Sequence, residues 1–354
     1  MLERSFAERL ISWQKLKGRH GLPWQVKDPY RVWVSEIMLQ QTQVATVLEY
    51  YVRFLERFPS LDVLARASLD DVLQCWSGLG YYSRARNLHL AAQRIIDEFG
   101  GIFPQERQNI ERLPGIGRST AAAIAAFVFD KKEAILDGNV KRVLTRLFAI
   151  DGFPGNKKVE NQLWDLAESL LPDRDIANYT QGLMDLGAMV CLRGQRALCR
   201  ECPFLDQCIA ARDGRVAELP ISRPRKAIAT RYTVMVLATY QDKIWLVQRP
   251  PAGIWGGLWS FPECDKRTAG VEEWLASYGE GEILPVWRDR EHVFSHFRLI
   301  ITPQPVRLRV LNAPPVNEQK GQWLPLAAAC NMGVPAPVKK MLKALFAQGE
   351  GRVE

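Results

Sequence analysis

Apolar residues recur with the period of an α-helix along the first two thirds of the chain. Between positions 30 and 48 they fall at 30, 33, 34, 37, 44, 47 and 48, a spacing that predicts a helix with one buried stripe. Helices are also predicted over 61–75, 84–99, 118–129, 138–149, 159–171 and 178–190, and the opening residues read as a further amphipathic helix. Pro59, Pro104, Pro114, Pro154 and Pro172 fall between these stretches as breakers. Residues 216–230, with Pro220, Arg223, Pro224, Arg225 and Lys226, have the texture of a basic linker. Beyond it the pattern becomes strand-like. Residues 232–240 and 243–248 read as strands around a turn at Gln241-Asp242, 297–302 and 306–310 as two more, and 336–347 as a last helix. The predicted chain is multidomain: an all-α domain over 1–215, the linker 216–230, and an α+β domain over 231–354.

A length of 354 residues with 47% hydrophobic and 24% charged residues is enough for two such cores. No apolar run approaches the ~18 residues of a membrane span, and the first residues lack the apolar stretch of a signal peptide. A cytosolic protein without a membrane partner is expected. Net charge is +8, a balance that fits a polyanionic partner. Its distribution changes the picture: residues 1–220 hold 29 Lys and Arg against 27 Asp and Glu, residues 221–354 hold 18 against 12. An anion site in the first domain must therefore come from local placement of groups rather than bulk charge.

Leu113-Pro114-Gly115-Ile116-Gly117 separates two predicted helices. Glycines at spacing two allow a sharp turn that bares backbone N–H groups, and the next helix aims its N-terminus outward, so a phosphate could be gripped without side-chain charge. A plain interhelical turn is the competing reading. About 20 residues on, Asp137 stands between an apolar pair and a helix start; alone it reads as an N-cap. Four of the seven cysteines crowd into 18 residues as Cys191-x7-Cys199-x2-Cys202-x5-Cys208. One compact loop with a single C-x2-C pair favours a four-thiolate [4Fe–4S] cluster. Zinc and unligated thiols remain open at this stage. Arg193, Arg196 and Arg200 in this loop form either a solvated basic face or a phosphate-contacting patch.

The glycine turn followed by Asp137 resembles the helix-hairpin-helix superfamily of DNA glycosylases, in which the corresponding aspartate faces the sugar of a flipped nucleotide. The cysteine array resembles the cluster loop of the endonuclease III and adenine DNA glycosylase (MutY) families, with seven rather than six residues between the first two cysteines. Leu22-Pro23-Trp24, Trp33-Val34-Ser35-Glu36-Ile37-Met38-Leu39-Gln40-Gln41-Thr42-Gln43, Gly78-Leu79-Gly80-Tyr81-Tyr82-Ser83-Arg84-Ala85-Arg86-Asn87 and Met184-Asp185-Leu186-Gly187-Ala188 resemble the MutY family throughout the catalytic domain. The resemblance implies a monomeric, bacterial, nucleoid-associated enzyme acting on double-stranded DNA that carries adenine opposite 8-oxoguanine or guanine. A purine leaves most easily with N7 protonated, so Glu36, on a largely apolar helix, is the implied acid. Asp137 is the implied stabiliser of an oxocarbenium-like sugar, with a covalent glycosyl intermediate as one route, and Asn139 the residue positioning sugar or water. Gln41 and Tyr81 are the implied wedges, with Thr42 and Leu79 beside the lesion base and Gly115, Gly117, Ser119 and Lys141 along the DNA. Arg19, Leu22, Trp24, Val44 and Gln181 are the implied adenine pocket.

Bifunctional relatives carry a lysine where this chain has Ser119, so a monofunctional glycosylase is expected; the alternative is a bifunctional endonuclease III-like glycosylase/AP lyase. Residues 255–263, Trp-Gly-Gly-Leu-Trp-Ser-Phe-Pro-Glu, resemble a Nudix-type fold, but Glu272-Glu273 and their neighbours lack the Arg-Glu-x2-Glu-Glu cluster that would hold Mg²⁺. Phe294-Ser295-His296 resembles the tripeptide with which the MutY C-terminal domain contacts 8-oxoguanine. A non-catalytic DNA-binding protein and a Nudix hydrolase with a helical appendage are further readings, disfavoured by the paired Glu36 and Asp137 and by the missing acid cluster.

Overall fold

A computed structural model describes residues 5–223, 228–264, 269–294, 296–312 and 320–350. Packing divides the chain into two compact units, residues 1–66 with 87–225 and residues 67–86 with 226–354. The first is helical and the second α+β, as the hydrophobic pattern predicts. Among the described residues no helix is long and apolar enough to cross a membrane.

In chain order the helices are α1 (Phe6–Lys17), α2 (Pro29–Leu39), α3 (Val44–Arg57), α4 (Leu61–Arg66), α5 (Leu69–Trp76), α6 (Ser83–Phe99), α7 (Arg107–Glu111), α8 (Arg118–Phe129), α9 (Gly138–Leu147), α10 (Lys157–Ser169) and α11 (Ile176–Asp185). A π-helical turn, Leu186–Val190, prolongs α11, and the short α12 (Ile209–Arg212) follows the cysteine loop. The first core joins Leu10 of α1, Val140, Val143 and Leu144 of α9, Leu163 of α10 and Leu183 of α11, with Phe204 from the cysteine loop. Phe6 stacks on Phe204 at 4.5 Å, so that loop packs into the core. In α8 the run Ala121–Ala126 is wholly buried; small side chains let neighbouring helices approach it closely.

The single helical period expected over 30–48 is interrupted. Asp28 caps α2, accepting from the Tyr30 and Arg31 amides, and Pro29 occupies its first turn. The helix then stops at Leu39, and Gln41 takes a left-handed φ of 59° before α3 begins. Periodicity registered the shared buried face of α2 and α3 and could not register one residue turning the chain between them.

The second unit is built on a mixed sheet of β1 (Ala229–Tyr240), β2 (Lys243–Gln248), β3 (Trp259–Ser260), β4 (Glu263–Cys264), β5 (Gly279–Ile283), β6 (Arg290–Val293), β7 (Phe297–Leu311) and β8 (Gly321–Pro325), with α13 (Ala269–Tyr278), α14 (Leu326–Ala329) and α15 (Ala336–Glu350). The order β3-β2-β1-β7-β5 places β1 parallel to β7 over their shared length. Val234, Val236 and Ala238 of β1 pack with Trp274 and Tyr278 of α13, while Met235 and Leu237, pointing the other way, are equally buried.

The two strands expected over 297–302 and 306–310 are one continuous strand. Pro303 and Pro305 face its outer edge, between the segments paired by β6 and β5, where no ladder donor is needed. Their carbonyls accept instead from the Trp287 and Leu284 amides, both at 3.0 Å.

The break at 225/226 falls inside the expected linker, but 67–86 groups with the sheet unit. Within that unit Gln248 donates to Asp70 at 2.9 Å, Ser77 to the Val334 carbonyl at 3.3 Å and Arg86 to the Gly256 carbonyl at 2.6 Å. These polar ties leave no hydrophobic signature, so the pattern of apolar residues did not reveal them.

Candidate active site

A cavity of about 340 Å³ opens in the first unit. Val32, Glu36 and Leu39, at i, i+4 and i+7 on α2, line one wall, and Gln181 and Met184 of α11 line another. The loop after α1 adds Arg19, Leu22 and Trp24, and α3 adds Val44. All five residues expected to hold a purine thus meet around Glu36. Gln25 holds that loop closed: its side chain accepts from the Leu22 amide at 3.0 Å and donates to the Arg19 carbonyl at 2.9 Å.

Seven of the eleven residues of α2 are buried; Glu36 and Leu39 are partly exposed and line the cavity. Its carboxyl group touches the cavity space, yet protein surrounds it closely and, among the described residues, no donor bonds to it. Burial pushes its pKa up to about 8, and the neighbouring Asp137 carboxylate adds to the rise. Asp137 is also raised by burial, but four groups oppose this: the Val140 and Asn139 amides, the Arg142 charge and the Asn139 side chain. Its oxygens accept from the Val140 amide at 2.8 Å, the Asn139 amide at 3.0 Å and Asn139 Nδ2 at 3.4 Å. Asp137 is thus the N-cap of α9, as its position alone suggests, and the better stabilised anion of the two. A proton shared by the pair belongs on Glu36.

Asn139 is held by two contacts the sequence did not single out. Arg142 Nη2 donates to Asn139 Oδ1 at 2.8 Å, and the same buried guanidinium reaches the Gly187 carbonyl and the Cys191 carbonyl, each at 2.6 Å. Gly187 has no alternative, because a Cβ there would lie 2.5 Å from Asn139 Cβ. Ser119 Oγ accepts from the Leu136 amide at 3.0 Å, fastening the segment before Asp137 to α8. Lys141 is engaged by Glu160 at 2.7 Å, and that bond lowers the glutamate's pKa.

In the hairpin, Gly115 needs its freedom twice: φ is 78°, and a Cβ would sit 2.7 Å from Asn87 Cβ. Gly117 caps α8, whose first N–H groups have no side-chain cap. Gln41 is exposed and Thr42 half-buried in the first unit; in the second, Tyr81 is 51% exposed and Leu79 is buried. Gln41 and Tyr81 each hold a left-handed φ, 59° and 49°, an uncommon conformation for non-glycine residues.

Cys191, Cys199, Cys202 and Cys208 line one small pocket with Val190, Leu205, Ala211 and Val216. The seven residues between Cys191 and Cys199 include a 3₁₀ turn, Gly194–Arg196, and the Leu198 amide bonds to the Val190 carbonyl at 2.9 Å. Arg146, buried and also unforeseen, donates to the Leu192 carbonyl at 2.6 Å, the Leu219 carbonyl at 2.8 Å and Cys191 Sγ at 3.4 Å. Four thiols within an apolar lining suit an all-sulfur inorganic group. Among the described residues, no three potential ligands converge on the position of a single ion. Arg193, Arg196 and Arg200 are exposed.

In the second unit Phe294 stacks on Phe297 at 4.5 Å and tilts against Trp255 at 5.3 Å, while His296 is exposed beside it. Ser295 lies outside the described residues. Glu272 and Glu273 ride on α13, and Glu263 pairs with Arg249.

Residues 34–169 match the model of the HhH-GPD superfamily of base excision DNA repair proteins, and residues 233–344 that of the NUDIX domain. An adenine DNA glycosylase of Buchnera aphidicola subsp. Schizaphis graminum is 37% identical over 344 residues, covering 96% of this chain and 98% of that one. An adenine DNA glycosylase of Rattus norvegicus is 35% identical over 408 residues, covering 96% and 77%. Among solved structures, a thermostable thymine-DNA glycosylase superposes with a TM-score of 0.53 at 28% identity, covering 59% of this chain and 95% of that one.

Because burial raises Glu36 in the folded chain, its titration acts on stability. Below its ordinary pKa of 4.5 both folded and unfolded chains hold the proton; as pH rises from there toward about 8 the unfolded chain loses it first, and stability falls. Glu36→Gln removes this titration. In thermal unfolding across pH, the melting temperature of the variant minus that of the wild type should grow more positive from about pH 4.5 to about pH 8. A difference independent of pH would contradict the assignment.

Proposed function

The chain belongs to the adenine DNA glycosylase family of base excision repair, and from that membership we propose that it excises adenine mispaired with 8-oxoguanine or guanine, without cutting the strand. Glu36 carries the reading: a carboxyl group kept protonated near neutral pH, looking into a purine-sized cavity, with a hydrogen-bonded carboxylate beside it.

Duplex DNA is gripped at the hairpin, where the backbone around Gly115 and Gly117 and the first N–H groups of α8 address a phosphate. Gln41 and Tyr81 enter the stack; Thr42 and Leu79 flank the lesion base. Lys141, neutralised by Glu160, adds local positive charge only when that pair opens. The flipped adenine enters the cavity between Arg19, Leu22, Trp24, Val44 and Gln181. Glu36 transfers its proton to N7, the C1′–N9 bond breaks with its electron pair leaving on the base, and adenine departs neutral. Asp137 stays ionised and stabilises the positive sugar, with Asn139 positioned by Arg142 alongside. Water adds to C1′ and returns a proton to Glu36, which restores the acid.

Position 119 argues against the lyase alternative. Ser119 offers no amine, and its hydroxyl already serves the backbone. Cys191, Cys199, Cys202 and Cys208 would hold the [4Fe–4S] cluster, and their ligation would brace the loop that carries Arg193, Arg196 and Arg200 as a phosphate-facing patch. Phe294, Ser295 and His296 address the 8-oxoguanine, with Phe294 already seated on an aromatic support. The enzyme acts as a monomer on chromosomal DNA, hence at the nucleoid.

In single-turnover assays, a duplex with adenine opposite 8-oxoguanine should lose the base and break only after alkali, and the rate should fall as pH rises through about 8. Glu36→Gln and Asp137→Ala should each slow excision by about 10²-fold or more; efficient nicking without alkali would favour the lyase. Ser295→Ala combined with His296→Ala should lower the preference for 8-oxoguanine over guanine opposite the adenine, and an unchanged preference would refute that assignment. The purified protein should contain iron and acid-labile sulfide in equal amounts with broad visible absorbance; zinc without sulfide would refute the cluster.

A further inference from the structure

The cavity is lined by two polar side chains whose orientations are not their own. Arg19 and Gln181 both bond to Asp185, the residue that ends α11. The side chain of Asp185 is 0% exposed. Its Oδ1 accepts from Arg19 Nε at 2.7 Å and from Gln181 Nε2 at 2.8 Å, and its Oδ2 accepts from the Arg19 amide at 2.8 Å. The chain is shaped to allow this. A Cβ at Gly18 would meet Asp185 Oδ2 at 2.9 Å, and one at Gly182 would meet Leu10 Cγ of α1 at 3.0 Å, so these glycines let α1 and the start of its following loop close on α11.

An ionised carboxylate only accepts, so it must face the NH2 end of the Gln181 amide. The amide oxygen is left without a donor among the described residues, on a side chain that lines the cavity. Arg19 is treated in the same way. Its Nε is consumed by Asp185, which leaves both terminal NH2 groups of the guanidinium to donate elsewhere. One buried anion thereby presents an acceptor at Gln181 beside donors at Arg19.

We propose that Asp185 is a specificity-determining positioning residue: it fixes Gln181 as an acceptor and Arg19 as a donor, a pattern that fits a 6-aminopurine and opposes a 6-oxopurine. The 6-amino group of adenine donates to Gln181 Oε1, and the neighbouring N1 accepts from Arg19, leaving N7 to Glu36. Hypoxanthine reverses both, so that an acceptor meets an acceptor and an N–H meets the guanidinium. A freely turning glutamine would adapt to either base; a glutamine tied by its nitrogen does not. Discrimination is strong where a site's polar groups are held and left unpaired by the wrong ligand. The inference rests on the adenine-excision reading above.

Asp185→Asn supplies an amide that can donate as well as accept, so Gln181 is released to turn. Single-turnover excision of adenine and of hypoxanthine, opposite the same base, should show the adenine preference falling about tenfold or more in the variant. A purely structural role would slow both bases by a common factor, and an unchanged ratio would overturn the proposal. The unmodified enzyme offers a second measurement should the variant fail to fold. Dissociation constants are compared for duplexes carrying cleavage-resistant 2′-fluoro nucleosides of adenine, unsubstituted purine and hypoxanthine. A fixed acceptor requires that order of weakening; hypoxanthine binding as well as purine would overturn it. Absence of any adenine excision by the unmodified enzyme would instead fell the functional reading on which the proposal stands.

Discussion

Two carboxyl groups in one poorly solvated space cannot both be ionised, and the first unit is organised around that constraint. Glu36 reaches the space from a helix buried on most of its surface and, among the described residues, has no donor to stabilise its charge. Asp137, whose charge Glu36 feels, is buried at the cap of α9, where two backbone amides, the Asn139 side chain and the Arg142 charge favour its anion. The asymmetry needs no unusual residue type. It follows from placing one carboxyl in mid-helix, where backbone N–H groups are already bonded, and the other at a helix start, where they are free. The same pair of residues with their helical positions exchanged would reverse which one keeps the proton.

Buried charges elsewhere hold the walls in place. Asp185 answers to Arg19 and Gln181, Arg142 to Asn139 and two carbonyls, and Arg146 to the carbonyls and a thiol of the cysteine loop. Each is costly to bury unpaired and each has several partners, so they fix geometry more than they add stability. Rigidity of this kind suits a cavity whose chemistry depends on donor and acceptor directions.

Much of this could be read in the sequence. Period and breakers located the helices, and the family resemblance pointed to Arg19, Leu22, Trp24, Val44 and Gln181, which the fold brings into one cavity with Glu36. Asp185 stood in a quoted segment, and a lone acid between Leu183-Met184 and Leu186 was the available sign that it is buried and bonded. Arg142, Arg146 and Gln25 gave no such sign, since an arginine or glutamine near a helix looks the same whether it meets water or a carbonyl. The break after Leu39 and the unbroken β7 across Pro303 and Pro305 were illegible for a related reason. Both depend on which backbone groups face a partner, and hydrophobic patterning carries no record of that.

The grouping of residues 67–86 with the C-terminal unit has a temporal side. A ribosome delivers α5 early, but the strands and loops to which Asp70, Ser77 and Arg86 bond arrive only after more than a hundred further residues. At common translation speeds that is a wait of roughly ten seconds to a minute. Throughout it Leu73, which is buried in the finished unit and lies close to Gly257 and Gly333, must be shielded in some other way. A nascent chain released before residue 226 carries that unmatched segment permanently, a burden that a simple head-to-tail domain order would have spared it.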